Sequence, residues 1–214
     1  MSIPSDNYFL IWATSVAQEP LIAATPVPCN EINQVFQLMF DSKTLFLKIG
    51  PNLQREYDKL QWLHHHQPAP VPYGFIRYEQ NDALLTSAIP GKGLSRLTES
   101  LPPATIITRL AVALKVLHAT PIADWPFDRS ENGTVLVHGD ACLPNIMYCD
   151  GRLSGYIDVG DMQVDAPEVD LAAAIWSLQY NLGPGYGLAF LHEYGVSDAN
   201  EEDVERLRLM YETG

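Results

Sequence analysis

The chain has 214 residues, 47% of them hydrophobic and 18% charged, which provides the material for a packed core and excludes a disordered tract or a machine of several domains. Thirteen basic against 26 acidic residues give a formal charge of −13, a field that repels phosphate backbones and anionic lipid and argues against nucleic acid or a membrane as partner. Cys29, Cys142 and Cys149 form neither an even disulfide framework nor a metal-binding pair. Met1–Asn7 carries no basic stretch ahead of an apolar core, so reduced thiols and a cytoplasmic location are expected.

The first clear element is a strand, Thr44–Ile49, followed by a turn at Gly50-Pro51 and a helix from Leu53 to about His64 that Asn52 is placed to cap. Alternation puts Leu45, Leu47 and Ile49 on one face of the strand and Phe46 and Lys48 on the other. In the helix Leu53, Glu56, Leu60 and Leu63 share one stripe, which sets a carboxylate among apolar neighbours. It either pairs with a cation, for which Lys48 is the natural candidate, or reaches solvent from the stripe's edge. His64-His65-His66 reads as a solvated helix end, since adjacent residues diverge on a helix.

Two β-rich runs, Tyr73–Glu79 and Ala83–Ile89, parted by Asn81-Asp82, predict a hairpin, and Pro90–Gly93 reads as a linker. Beyond it the pattern turns helical, with the longest helix over Pro103–Ala119 and Ile106, Ile107, Leu110, Leu114 and Leu117 on one face. The expected class is α+β, with a small β-rich N-terminal lobe over residues 1–88 and a mostly helical lobe over 89–214.

Within the second lobe, Asp150-Gly151 between Asn145–Cys149 and Arg152–Asp158 predicts a two-residue type I′ hairpin. Residues whose numbers sum to 301 then face each other, so Asn145 opposes Tyr156, and Asp158 lies diagonal to Asn145 on the same face, roughly 7–8 Å away. Asp165-Ala166-Pro167 marks the start of a helix that stops near Gly183, and Ser197–Tyr211 is a further charged helix.

The segment Val135–Asn145 ends an apolar run with Asp140, places Asn145 five residues later, and Asp158 follows thirteen residues on. An Asp able to accept a hydroxyl proton, followed by an amide and a carboxylate offering hard oxygens to Mg²⁺, is the set that phosphoryl transfer needs. Taken singly, each is also an ordinary turn residue.

The pattern His138-Gly139-Asp140-x-x-x-x-Asn145, Ser154-Gly155-Tyr156-Ile157-Asp158-x-Gly160 and Asp165-x-x-x-x-Asp170-Leu171-Ala172 resembles the aminoglycoside phosphotransferases, in particular their 3′-phosphotransferase branch, within the protein-kinase-like fold. The resemblance implies a two-lobed structure, with a nucleotide-binding lobe ahead of a catalytic and substrate lobe. It makes Asp140 the catalytic base, Asn145 and Asp158 the holders of Mg²⁺, His138 a brace of the loop and Asp170 a structural acid beneath it. In the first lobe, Lys48 would hold the phosphates of ATP or GTP with Glu56 positioning it, Phe46 would stack on the base, and the Ser87-Ala88-Ile89 backbone would bond the base edge.

The chain departs from that pattern in three places. Cys29–Phe36, which should fold over the phosphates, holds no glycine; only 19 residues separate His118 from His138, where the antibiotic kinases carry a helical insertion; and Asp161 stands where that branch often has a basic residue. The expected activity is transfer of the γ-phosphoryl group to a hydroxyl of an aminoglycoside-like, cationic small molecule. Two other readings are a kinase of choline-like or amino-alcohol acceptors, and a non-catalytic kinase-like binding protein marked by the glycine-free loop. A protein kinase fits less well, because the stretch from Asp158 to Asp170 leaves no room for an activation segment.

Overall fold

Strand alternation organises the first of two units, which comprises the residues up to His64 together with Pro70–Ile89 in a computed structural model that describes residues 5–29 and 32–213. Its antiparallel sheet has the order β1-β2-β3-β5-β4, with β1 Ala23–Val27, β2 Gln34–Met39, β3 Thr44–Gly50, β4 Pro72–Tyr78 and β5 Asn81–Ser87. Leu45, Leu47 and Ile49 of β3 are buried, while Phe46 and Lys48 on the other face are half-buried. The buried face shares a core with Phe9, Ala13 and Ala17, spaced one turn apart along α1 (Ser5–Ala17). That helix carries an unbroken apolar run, Tyr8–Ala13, rather than a stripe, and for that reason periodicity does not announce it.

The next helix, α2, spans Gln54–Leu63 and buries Glu56, Leu60 and Leu63. Its cap differs from expectation. Asn52 takes a left-handed conformation, φ 60, and its side chain does not cap; instead the Leu53 N–H donates to Asp82 Oδ2 at 3.0 Å. Asp82 is buried and also receives Arg77 Nε at 2.6 Å and Nη2 at 3.0 Å. The role requires Asp82 to sit inside β5, paired with Arg77, so the hairpin turns at Glu79-Gln80 and not at Asn81-Asp82.

The second unit comprises His65–Ala69 and the residues from Pro90 onward. Helix α3 (Pro103–His118) buries Ile106, Ile107, Leu110, Leu114 and Leu117, the stripe read from the sequence. Lys92–Gly93, expected as linker, forms a short strand, β6, in a sheet with β8 (Ile146–Cys149) and β9 (Arg152–Tyr156). Between them in the chain, β7 (Val135–Val137) pairs antiparallel with β10 (Gln163–Asp165). Because Asp165 ends a strand, α4 begins three residues later than its sequence signal and runs Glu168–Leu182 to Gly183.

The β8–β9 turn has Asp150 at φ 48 and Gly151 at φ 77, both positive as a type I′ turn demands. The expected register holds for Cys149↔Arg152 and Tyr148↔Leu153, then slips by one, to Met147↔Gly155 and Ile146↔Tyr156. Ser154 is the extra residue of a β-bulge. Asn145 therefore meets Ile157 rather than Tyr156, and the Ile157 N–H donates to its carbonyl at 3.0 Å.

Two more helices close the unit, α5 (Gly187–Tyr194) and α6 (Glu201–Thr213). The latter starts on a reciprocal cap, with Asn200 Oδ1 accepting the Glu202 N–H at 2.8 Å and Asp203 Oδ2 accepting the Asn200 N–H at 3.1 Å.

Candidate active site

The loop that follows β7 hangs on one buried carboxylate. Asp170, in the first turn of α4, is 0% exposed and accepts the His138 N–H at 2.8 Å and the Gly139 N–H at 2.9 Å, one on each oxygen. His118 Nε2 lies 3.0 Å from the same group, and His118 Nδ1 lies 2.7 Å from the Tyr194 hydroxyl. A carboxylate accepts, so His118 Nε2 donates to Asp170 while the other ring nitrogen partners the Tyr194 hydroxyl. Burial, helped by the charges of Asp170 and Glu168, raises the Tyr194 phenol and keeps it protonated.

His138 is equally enclosed. Its Nδ1 faces the Asp140 N–H at 3.3 Å, which leaves Nε2 to donate to the Ile157 carbonyl at 3.0 Å. Both ring nitrogens thus tie the loop to itself and to the segment beyond β9. Gly139 sits at φ 84, and a Cβ there would approach the Asp161 carbonyl oxygen to 2.4 Å. Only glycine fits both constraints.

Asp140, half-buried, is presented by this loop. Asn145, buried in a 3₁₀ turn over Leu143–Asn145, donates Nδ2 to Asp140 Oδ2 at 2.9 Å and to the Asp140 carbonyl at 3.0 Å. With its nitrogen so engaged, Asn145 turns its amide oxygen away from Asp140. Asp158 is exposed, at φ 58, immediately after the residue that bonds the Asn145 backbone. Among the described residues no three His, Cys, Asp or Glu groups gather as a metal cage. A divalent ion at Asn145 and Asp158 would take its remaining oxygens from water or a bound phosphate, the habit of Mg²⁺.

The sequence did not single out two neighbours of Asp140. Cys142 is buried, with Sγ 3.7 Å from the Tyr211 hydroxyl of α6, and Tyr211 in turn donates to Asp140 Oδ1 at 3.4 Å. Burial first, then the Asp140 carboxylate, push the Cys142 thiol from 9.0 up to about 12. It therefore stays protonated at neutral pH, and its contribution to stability is lost as pH rises from the unfolded value towards about 12. In native protein at pH 8, a thiol reagent read by peptide mapping is expected to label exposed Cys29 and to spare Cys142 until the chain unfolds. Labelling of both at one rate would contradict this burial.

In the first unit, Lys48 Nζ lies 2.7 Å from Glu56 Oε2, with the side chains 17% and 9% exposed. Of the two readings for the carboxylate in the α2 stripe, the ion pair is the one formed. Phe46 shares the Lys48 face of β3. Ser87 donates its N–H to the Val71 carbonyl at 2.9 Å and Ala88 to the Thr44 carbonyl at 3.2 Å, so these two N–H groups serve the sheet. Ile89 closes the unit just beyond them. Of the glycine-free stretch, Gln34–Phe36 belongs to β2, and Asn30 and Glu31 lie outside the described residues.

Residues 23–134 and 125–209 match the family model described as "Phosphotransferase enzyme family". An aminoglycoside 3′-phosphotransferase of Escherichia coli is 28% identical over 216 residues, covering 77% of this chain and 79% of that protein. One from Streptomyces ribosidificus is 26% identical, covering 83% and 90%. Among solved structures, aminoglycoside-3′-phosphotransferase of type VIII superposes with a TM-score of 0.73 at 22% identity, over 96% of this chain and 98% of that one. An aminoglycoside phosphotransferase from Streptomyces rimosus, in complex with ADP and streptomycin, gives 0.74 at 22% identity over 96% of each.

Proposed function

The chain belongs to the phosphotransferase enzyme family and has the protein-kinase-like α+β fold of its structural neighbours, and from that premise we propose that it transfers the γ-phosphoryl group of ATP or GTP to a hydroxyl of an aminoglycoside-like, cationic acceptor. The observation that carries the reading is the Asp140 carboxylate, offered on a loop whose backbone is fixed by Asp170 and His138 and whose own oxygen is held by Asn145. A base so fixed orients the acceptor hydroxyl and takes its proton as the phosphoryl group is transferred. The names of the relatives favour an aminoglycoside over a choline-like acceptor, and the charge of −13 would attract a polycation.

Lys48, kept in place by Glu56, would ion-pair with the nucleotide phosphates. Phe46 would stack against the base, and the Ser87-Ala88-Ile89 backbone would bond its edge through groups other than the Ser87 and Ala88 N–H, which serve the sheet. The amide oxygen of Asn145 and the carboxylate of Asp158 would hold Mg²⁺, which when bound neutralises charge on the phosphates. His138 and Asp170 would touch no substrate; they set the loop.

Calorimetric titration with ATP and with GTP, with and without Mg²⁺, tests the nucleotide half of the reading. Binding that depends on Mg²⁺ and disappears with Asp158→Ala is expected. Lys48→Met, which removes a charged hydrogen-bond donor to phosphate, should weaken that binding by about 10- to 100-fold. No heat from either nucleotide at millimolar concentration would overturn the kinase reading in favour of a non-catalytic binding protein.

A further inference from the structure

We propose that Tyr211 of the C-terminal helix α6 is a positioning residue for the catalytic base, its hydroxyl holding the oxygen of Asp140 that Asn145 does not. The inference rests on the phosphotransfer reading above and adds to it a residue seventy-one positions away in the chain.

The sequence of α6 explains how the hydroxyl arrives there. Val204, Leu207 and Tyr211 fall at i, i+3 and i+7, one stripe of the helix, and all three are withdrawn from solvent, Leu207 almost completely. Tyr211 is the only member of the stripe with a polar tip. The flank beside the stripe is tied to itself by Arg208, which pairs with Glu205 and Glu212 at 2.7 and 2.5 Å, and the Asn200–Asp203 cap fixes the start of the helix. The Tyr211 ring lies 5.2 Å from that of Trp176 on α4, the helix whose first turn carries Asp170. One helix pair thus braces the backbone of the catalytic loop at one end and reaches its carboxylate at the other.

The hydroxyl has one proton and two neighbours, Asp140 Oδ1 at 3.4 Å and Cys142 Sγ at 3.7 Å. The carboxylate is the stronger acceptor, and the buried thiol, which remains S–H at neutral pH, makes no competing anion. Burial also raises the Tyr211 phenol, so it remains a donor. Asn145 alone would fix Oδ2 at 2.9 Å and leave the carboxylate plane to swing about the Cβ–Cγ bond. A second donor on Oδ1 removes that rotation. The long distance is typical of a catalytic contact that tightens once the substrate is in place.

Tyr211→Phe keeps the ring against Trp176 and deletes only the hydroxyl. It is compared with wild type and with Tyr211→Leu, which removes the ring as well, in a phosphotransfer assay with the best acceptor from an aminoglycoside panel. Rates are normalised to the nucleotide-binding stoichiometry, so that a partly unfolded preparation does not imitate a slow enzyme. The expected result is a kcat about 10-fold lower for Tyr211→Phe with both KM values unchanged, since the contact serves the base and not the ground-state binding of either substrate. A tyrosine that only packs would give Tyr211→Phe a kcat within about two-fold of wild type and reserve the losses for Tyr211→Leu, and that result overturns the proposal. A rise in KM at constant kcat overturns it too. If wild type itself forms no phosphorylated product, the function proposed above falls first, and this inference with it.

Discussion

Asp140→Asn is expected to lower phosphotransfer by about 10²- to 10⁴-fold, the contribution of a positioned general base, while nucleotide affinity and melting temperature stay close to wild type. The substitution is nearly isosteric, so the loop that presents the side chain is undisturbed: the Asp170 and His138 contacts involve the backbone and the neighbouring ring, not the Asp140 carboxylate. What disappears is an oxygen able to take the acceptor's proton, together with the acceptor for one of two side-chain donors, Asn145 Nδ2 or the Tyr211 hydroxyl. Steady-state assays beside nucleotide titrations separate the two quantities. A variant that turns over normally would remove Asp140 from the role of base, whatever else the loop does.

Asp170→Ala is expected to have the largest effect on stability, a loss of about 3–5 kcal/mol, as follows when three buried donors lose their acceptor at roughly 1–3 kcal/mol each. The carboxylate is fully buried and satisfies two backbone N–H groups and the His118 imidazole at once. Alanine leaves all three donors without an acceptor in a dry interior, and the methyl group does not fill the space. Urea or thermal unfolding measures the loss, which corresponds to a melting temperature lower by roughly 10 °C for a chain of this size. A melting temperature within about 2 °C of wild type would mean that the cluster is not the keystone of the loop.

The parts of this architecture that were legible in the sequence are those in which a short-range rule and the tertiary structure agree. The alternation of Leu45, Leu47 and Ile49 placed Lys48 on the half-buried face, and the spacing of Glu56, Leu60 and Leu63 put a carboxylate on the inward stripe of α2, so their ion pair could be anticipated. The Asp150-Gly151 turn was equally plain. The bulge at Ser154 was not, because the signal for a register counts residues from the turn and nothing local marks one extra residue. Its consequence falls on the two residues proposed to hold Mg²⁺: Asp158 follows directly on the partner of Asn145 instead of lying diagonally across the ladder.

Long-range partners were the other blind spot. Asp82 caps α2 from 29 residues away, a task for which the adjacent Asn52 is the local candidate, and Asn52 is instead consumed by a left-handed turn. Tyr211 reads as one apolar position of a charged helix until the fold brings its hydroxyl to Asp140. The α1 helix and the short α5 lack a clean apolar stripe or lie among glycines, so the sequence gives neither a reason to stand out.

The central claim, that this chain moves a phosphoryl group to a small-molecule hydroxyl, is tested most directly by mass spectrometry of an aminoglycoside panel incubated with the protein, ATP and Mg²⁺. The account predicts a singly phosphorylated product from at least one aminoglycoside, formed with one equivalent of ADP and absent when Asp140→Asn replaces wild type. Nucleotide consumed without any phosphorylated aminoglycoside, or product formed equally well by Asp140→Asn, would contradict it.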